Sequence, residues 1–95
     1  MGKIRRLVLD TLKPYEPSIV EMAQRLSQLD GVIAVNISIY EMDRRVENAK
    51  ITIEGDQIPY DVVTGLIEEM GGAIHSVDEV VAGKMIIDDA ATLQD

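Results

Sequence analysis

Residues 26–33, Leu-Ser-Gln-Leu-Asp-Gly-Val-Ile, decide the fold, because residues 67–74, Ile-Glu-Glu-Met-Gly-Gly-Ala-Ile, repeat their pattern 41 positions later. Each stretch ends an apolar helical pattern at a glycine, and a strand-like pattern follows. Glycine tolerates the left-handed backbone conformation that commonly ends a helix. The sequence therefore indicates two copies of one strand–helix–strand unit.

Outward from these stretches, the alternation of apolar and polar residues predicts four strands, at residues 4–12, 32–42, 46–54 and 74–82. Ser18 and Glu21 form a capping box, which predicts the start of the first helix. Pro59 suits the first turn of a second helix, where its missing amide hydrogen costs nothing. Gly71 ends that helix in the same way that Gly31 ends the first.

Two local features refine this outline. The prolines in Lys13–Pro17 predict a rigid loop after the first strand. Gly65 lies inside the second helix, where glycine costs about 1 kcal/mol relative to alanine. We expect a close approach of the helix to the sheet, rather than a hinge, to explain it.

The order strand, helix, strand, strand, helix, strand predicts an α+β fold. Right-handed crossovers in two interlocked units give a ferredoxin-like βαββαβ sandwich. Its four-stranded antiparallel sheet has the spatial order 4-1-3-2, with two helices on one face. Residues 1–83 are predicted to form this domain, and residues 84–95 a C-terminal tail.

The other face of the sheet carries no helix in this topology, and the alternation assigns nine residues to it: Arg6, Val8, Asp10, Asn36, Ser38, Tyr40, Lys50, Thr52 and Glu54. Arg6 is expected opposite Glu54, and Asp10 near Lys50, so that opposite charges pair across strands. Such pairs stabilise a solvated sheet without further purpose, or they line a binding surface.

His75 is the chain's single histidine. Antiparallel pairing of the first and fourth strands brings it near Asp10, and we predict a hydrogen bond between them. Asp10, His75, Arg6, Glu54 and Tyr40 are therefore the candidates for a ligand-binding or interface site. The alternative is a paired surface histidine with no role in catalysis, and no nucleophile motif argues for an enzyme.

Asp78 and Glu79 are the candidate metal ligands. Without cysteine and with one histidine, the chain suits Ca²⁺ or Mg²⁺ rather than a transition metal. In a regular strand Asp78 and Glu79 point to opposite faces, so a β-bulge is needed to gather them with His75. The same bulge is expected if Val77 and Val80 are both buried.

The net charge of −8 argues against a nucleic-acid partner, because such affinity depends on lysine and arginine. Residues 1–50 carry a net charge of +1 and residues 51–95 a net charge of −9, which favours contacts between unlike surfaces of two subunits. No apolar run reaches the roughly 20 residues of a membrane span. We expect a soluble, cytoplasmic protein.

The tail contains the apolar run Met85-Ile86-Ile87 directly after Lys84. We predict that residues 84–93 pack on a neighbouring subunit or extend a sheet edge. The alternative is that they fold back on their own domain.

The stretch Leu29-Asp30-Gly31-Val32-x-x-Val35-x-Ile37, between a helix and a hairpin, resembles heavy-metal-associated domains and ACT-type regulatory domains. The first family binds metal through paired cysteines in the loop before the first helix. Residues 11–18 contain no cysteine, so that function does not carry over. ACT domains bind small effectors such as amino acids at subunit interfaces.

Nearly the whole chain resembles a family of short archaeal proteins of unknown function. The resemblance lies in IRRLVLD (4–10), LKP (12–14), EPS (16–18), NIS (36–38), ITIEG (51–55) and IHSVDEVVAGK (74–84). It implies a ferredoxin-like fold that forms homo-oligomers, and it implies no activity.

These observations together favour a non-enzymatic, homo-oligomeric domain that binds a small ligand or an ion. The alternative is a structural assembly or protein-interaction module without a ligand. The expected partners are further copies of the chain, through the tail, and a small molecule or a divalent cation.

Overall fold

The computed structural model describes residues 2–87, which form the predicted order of elements. The elements are β1 (Ile4–Pro14), α1 (Ile19–Ser27), β2 (Val32–Met42), β3 (Val46–Gly55), α2 (Tyr60–Glu69) and β4 (Ala73–Ala82). The strands form one sheet in the order β2-β3-β1-β4, and each pairing is antiparallel. This is the predicted ferredoxin-like order 4-1-3-2, seen from the other edge.

The hydrophobic core lies between one face of the sheet and the two helices. The central strands contribute Leu7, Leu9, Ile51 and Ile53, and the helices contribute Met22, Leu26, Val63 and Ile67, all fully buried. Removing these aliphatic side chains from water stabilises the sandwich in proportion to the apolar area buried. Within residues 2–87, no helix covers the opposite face of the sheet, which is called the open face below.

The strand β1 extends two residues beyond its predicted end, into the expected loop. Lys13 pairs with Glu47 and Pro14 pairs with Val46 on β3, whereas the pairing of β1 with β4 stops at Leu12. Beyond that point β1 pairs with β3 alone among the described strands, and a proline is tolerated where a strand has a free edge.

The start of α1 and the end of α2 follow the sequence signals, whereas the end of α1 does not. The Ser18 hydroxyl accepts a hydrogen bond from the Glu21 amide at 3.3 Å, which caps α1. Gly31 and Gly71, which follow α1 and α2, both have a φ of 92°. Residues with a side chain rarely adopt this conformation, so Gly71 sets the end of α2 directly after its cap Met70. The helix α1 already ends at Ser27, earlier than predicted, and Gly31 lies in the turn that leads into β2.

The expectation for Gly65 is wrong. This glycine is exposed, and a Cβ atom built on it meets no atom within 4 Å. The close approach occurs instead at Gly72, where a Cβ would lie 2.8 Å from Cγ2 of Ile67. A glycine inside a helix therefore does not by itself identify the contact with the sheet.

Arg5 joins the strand ends at one edge of the domain. Its Nε donates to the carbonyl of Gly55 at 3.2 Å, and its Nη1 donates to the carbonyls of Gly83 at 3.3 Å and Lys84 at 2.9 Å. Asp56 lies 3.8 Å from Nη2. One guanidinium thus holds the end of β3 and the chain that leaves β4.

Beyond that junction, residues 85–87 are apolar and exposed. Met85, Ile86 and Ile87 have 68%, 37% and 62% of their surface exposed. The predicted contact covers residues 84–93, and its residues 88–93 lie outside the described part of the chain. Among residues 2–87, no helix is long and apolar enough to cross a membrane.

Candidate functional site

The edge strand β4 contains two bulges that crowd polar residues onto the open face. Glu79 pairs with Val8 and Val77 pairs with Leu9, so Asp78 is an additional residue between two pairs of the ladder. His75 is additional in the same way, between Ser76 and Ile74. A bulge re-aims side chains that regular alternation would send to the other face.

The predicted bulge in β4 is therefore present, although not for the stated reason. Val77 and Val80 do pair with Leu9 and Leu7 of the core face, but they are 42% and 51% exposed because β4 is an edge strand. The bulge has a larger effect on the open face, where it changes the position of Asp78. Asp78 contacts Lys50 and Ser76, which places it beside Glu79 rather than opposite it.

The other edge strand, β2, has a matching bulge. Ile39 pairs with Ala49 and Glu41 pairs with Asn48, which leaves Tyr40 as the additional residue. Tyr40 and Glu41 are neighbours in sequence and both border the open face. The bulges in β2 and β4 therefore bring the phenol and the imidazole toward Asp10 from opposite edges.

Asp10, on the central strand β1, lies between these two groups. Two adjoining hollows of about 440 and 220 Å³ share Asp10 and Tyr40 as lining residues. Ser38 and Lys50 complete the larger hollow, and the smaller one is completed by Leu12, Glu41, Asn48 and His75. We call the two hollows together the Asp10–Tyr40 depression.

The hydroxyl of Tyr40 donates a hydrogen bond to Oδ1 of Asp10 at 2.5 Å. This bond is the largest cause that raises the pKa of Tyr40 to about 12, and the negative charges of Asp10, Glu41 and Asp78 add to it. Loss of the phenol proton would place a further negative charge beside three carboxylates. Tyr40 therefore remains a neutral hydrogen-bond donor at physiological pH.

The structure gives Asp10 a different partner from the predicted one. His75 lines the same depression as Asp10, but within residues 2–87 no hydrogen bond joins them, and the carboxylate accepts from Tyr40 instead. The bulge at His75 explains the change, because it shifts the register so that Ser76 rather than His75 pairs with Asp10. The imidazole is thereby left at the rim of the depression.

Two comparisons with known proteins identify relatives of this chain. The model of the DUF211 family, described as "Uncharacterized ArCR", matches residues 5–95. The chain is also 53% identical to "Uncharacterized protein MJ0319" of Methanocaldococcus jannaschii over 95 residues, which are 100% of this chain and 98% of that protein. The chain belongs to the DUF211 family. This confirms the resemblance to archaeal proteins of unknown function.

The remaining site candidates of this DUF211 protein lie elsewhere on the open face. Nε of Arg6 donates to Oε2 of Glu54 at 2.7 Å, and Nη1 of Arg6 lies 3.7 Å from Oε2 of Glu79. The predicted opposition of Arg6 and Glu54 is confirmed by the register of β1 and β3. Arg6 and Glu54 thus belong to an ion-pair network, and neither lines the Asp10–Tyr40 depression.

The candidate metal ligands of the DUF211 chain are already engaged with other side chains. Asp78 accepts from the hydroxyl of Ser76 at 2.7 Å and lies 3.6 Å from Nζ of Lys50. Glu79 faces Arg6. Across residues 2–87, no three carboxylate or imidazole side chains are close enough together to hold a metal ion.

Sequence reasoning missed two groups in this DUF211 protein. Glu41 was not expected on the same face of the sheet as Tyr40, because alternation places residues that are neighbours in sequence on opposite faces. Lys13 was expected in a loop, yet it is fully buried, and its Nζ donates to Oε1 of Glu47 and to the carbonyl of Pro14, each at 2.7 Å. The adjacent Thr11 hydroxyl is buried without a hydrogen-bond partner within the described chain.

Proposed function

We propose that this protein binds a small polar ligand in the Asp10–Tyr40 depression without transforming it chemically, and that it works as a homo-oligomer in the cytoplasm. The observation that carries the proposal is the convergence of three strands on one hollow. Asp10 comes from β1, Tyr40 from the bulge of β2 and His75 from the bulge of β4. Bulges are frequent beside binding and active sites.

The character of the groups supports binding rather than catalysis. The Tyr40 hydroxyl donates to Asp10, and the amide of Asn48 donates to Glu41 at 3.3 Å. Catalysis requires a nucleophile beside a base or a paired acid and base at one reacting position. Hydrogen-bonding groups at the rim of an open hollow suit recognition of a ligand.

A ligand screen tests this proposal. Compounds that bind the folded state alone raise the melting temperature by mass action. We expect at least one small polar compound or divalent cation, among amino acids, amines, nucleotides, Ca²⁺ and Mg²⁺, to do so in the wild-type protein. The variant Tyr40→Leu, which removes the phenol, is expected to abolish the shift.

The control is Tyr60→Leu, since Tyr60 is a half-exposed tyrosine at the start of α2, in the helical layer. The proposal fails if no compound raises the melting temperature, or if both leucine variants respond to the compound as the wild type does.

A structural assembly module is the second candidate, and the exposed apolar surface after β4 favours it. Met85, Ile86 and Ile87 are exposed and lie outside the core cluster, and Val77 and Val80 on β4 are also exposed. Contiguous exposed apolar area is typical of surfaces that bind a protein partner.

Removal of residues 84–95 tests the assembly. We expect light scattering at equal concentration to show fewer subunits per particle for the truncated chain than for the full chain. The matched control is the full-length variant Val20→Ala, which trims an equally exposed apolar residue on α1. An unchanged oligomer after truncation would exclude a role for the tail.

A further inference from the structure

The Asp10–Tyr40 depression combines three kinds of group that together select a class of ligand. Asp10 and Glu41 supply carboxylates, Tyr40 supplies an aromatic ring that is 56% exposed, and Leu12 supplies an aliphatic side chain that is 37% exposed. Carboxylates attract cations, and an exposed aromatic face attracts them further. Leu12 offers a surface to carbon atoms rather than to a hydrated ion.

The electrostatic balance of the depression is negative. Lys50 is the cationic lining residue, and its Nζ lies 3.6 Å from Oδ2 of Asp78. The charges of Asp10, Glu41 and Asp78 all raise the pKa of the Tyr40 hydroxyl, so the electrostatic potential at that hydroxyl is negative. The charge of the whole chain, −8, has the same sign.

The spacing of the acceptors distinguishes between kinds of cation. Ca²⁺ and Mg²⁺ need several oxygen ligands within about 2.6 Å of one point. Within residues 2–87 no three carboxylate or imidazole groups are gathered in that way, and Asp10 and Glu41 lie on different strands. A cation that carries several N–H donors on a carbon chain can reach separate acceptors and also cover Leu12.

We propose that the Asp10–Tyr40 depression binds a small organic cation, an alkylammonium or an alkylguanidinium. Its N–H groups donate to the carboxylates of Asp10 and Glu41, and its carbon chain lies against Leu12 and the ring of Tyr40. This inference rests on the proposed function and adds the chemical class of the ligand.

Calorimetric titration at low ionic strength tests the charge requirement, with putrescine and agmatine as the probes. Loss of a charge-assisted hydrogen bond in Asp10→Asn or Glu41→Gln is expected to weaken binding about tenfold. The charge-matched control is Glu68→Gln, because Glu68 is exposed on α2, on the other side of the sheet. Equal weakening in all three variants would overturn the site, since it would report bulk charge alone.

A ligand series tests the apolar contact. Wild-type protein is expected to bind butylamine more tightly than ammonium chloride, and Leu12→Ala is expected to reduce that preference. Amide chemical shifts of Asp10, Tyr40 and His75 should move on titration, and each variant is first checked for a wild-type melting profile. The assigned contact is overturned if the wild type does not prefer butylamine to ammonium, or if Leu12→Ala leaves that preference unchanged.

The outcomes distinguish a failure of this inference from a failure of the proposed function. If neutral or anionic compounds shift those three amides and amines do not, the ligand class is wrong and the binding site stands. If no compound shifts them, the proposed function and the inference fail together. Amine binding that persists unchanged in Asp10→Asn and Glu41→Gln overturns the inference alone.

Discussion

Tyr40 and Asp10 form a hydrogen bond across the intervening strand β3, and this bond sets a pH dependence. The folded protein holds the phenol proton more tightly than the unfolded chain, because the pKa of Tyr40 rises from 10.0 to about 12. The resulting stability is complete below pH 10 and is lost as the pH rises through about 12.

Spectrophotometric titration of the phenolate checks this prediction. Tyr40 should ionise with a pKa of about 12, and Asp10→Asn should lower that value toward 10.0. Asp61→Asn, on the helical layer, serves as the control and should leave it unchanged. Identical titrations of the wild type and Asp10→Asn would contradict the hydrogen bond as the cause.

Gly65 is a site where one added methyl group should stabilise the protein. A Cβ at this helical position meets open space, and alanine in a helix interior is about 1 kcal/mol more favourable than glycine. Gly65→Ala is therefore expected to raise the free energy of unfolding by about that amount. Urea denaturation measures it.

Gly72→Ala is the matched comparison, because there the same methyl group would lie 2.8 Å from the side chain of Ile67. We expect this variant to be less stable than the wild type. The interpretation fails if both alanine variants change stability in the same direction.

At the scale of elements, the register between β1 and β3 includes a buried ion pair. Lys13 is fully buried, and the side chain of Glu47 is 12% exposed. Removing one member of a buried pair leaves a charge without its partner in a poorly solvated position. Glu47→Gln is expected to lower the free energy of unfolding by about 3 kcal/mol, measured by urea denaturation.

Glu54→Gln is the control on the same strand. It breaks the pair with Arg6 on the open face, where the Glu54 side chain is 40% exposed, and should cost at most about 1 kcal/mol. The double variant Lys13→Met with Glu47→Met should recover most of the stability lost in Glu47→Gln. Equal costs for the two single glutamine variants would contradict the role of burial.

The elements themselves follow from the sequence, but the bulges do not. Regular alternation predicts β2 with its observed bounds and places Ala49, Ile51 and Ile53 in the core, where they are buried. A bulge inserts one extra residue into a strand and has no characteristic amino-acid composition. Its position in β2 therefore cannot be predicted from an alternation of apolar and polar residues. Alternation assigned Tyr40 to the open face, but it did not assign the next residue, Glu41, to that face.

For the candidate site, the residues were predictable from the sequence but their contacts were not. Asp10, Tyr40 and His75 were chosen together, and the structure places all three around one depression. Their hydrogen bonding was not predictable, because it depends on the bulge at His75. Lys13 was missed because its neighbouring prolines indicate a loop, whereas its burial depends on pairing with a strand 34 residues away.

At the scale of the whole molecule, net charge should control the proposed assembly. Copies that each carry −8 repel one another, and salt screens this repulsion. If the contact is made by the apolar residues that follow β4, added NaCl should increase the oligomeric fraction. Analytical ultracentrifugation at low and high NaCl measures that fraction.

The chain without residues 84–95 is the control and should sediment as the smaller species at both salt concentrations. Dissociation of the full-length oligomer on adding NaCl would contradict an apolar contact, because it would indicate that ion pairs hold the copies together.

The central position of β1 has a consequence for the order of folding during synthesis. β1 is made first, yet its neighbours in the sheet are β3 and β4, so it has no strand partner until residues 46–55 have left the ribosome. Its second edge closes when residues 73–82 follow. Arg5 then binds the carbonyls of Gly83 and Lys84, so a side chain of the first strand completes its contacts only after the last strand has been made.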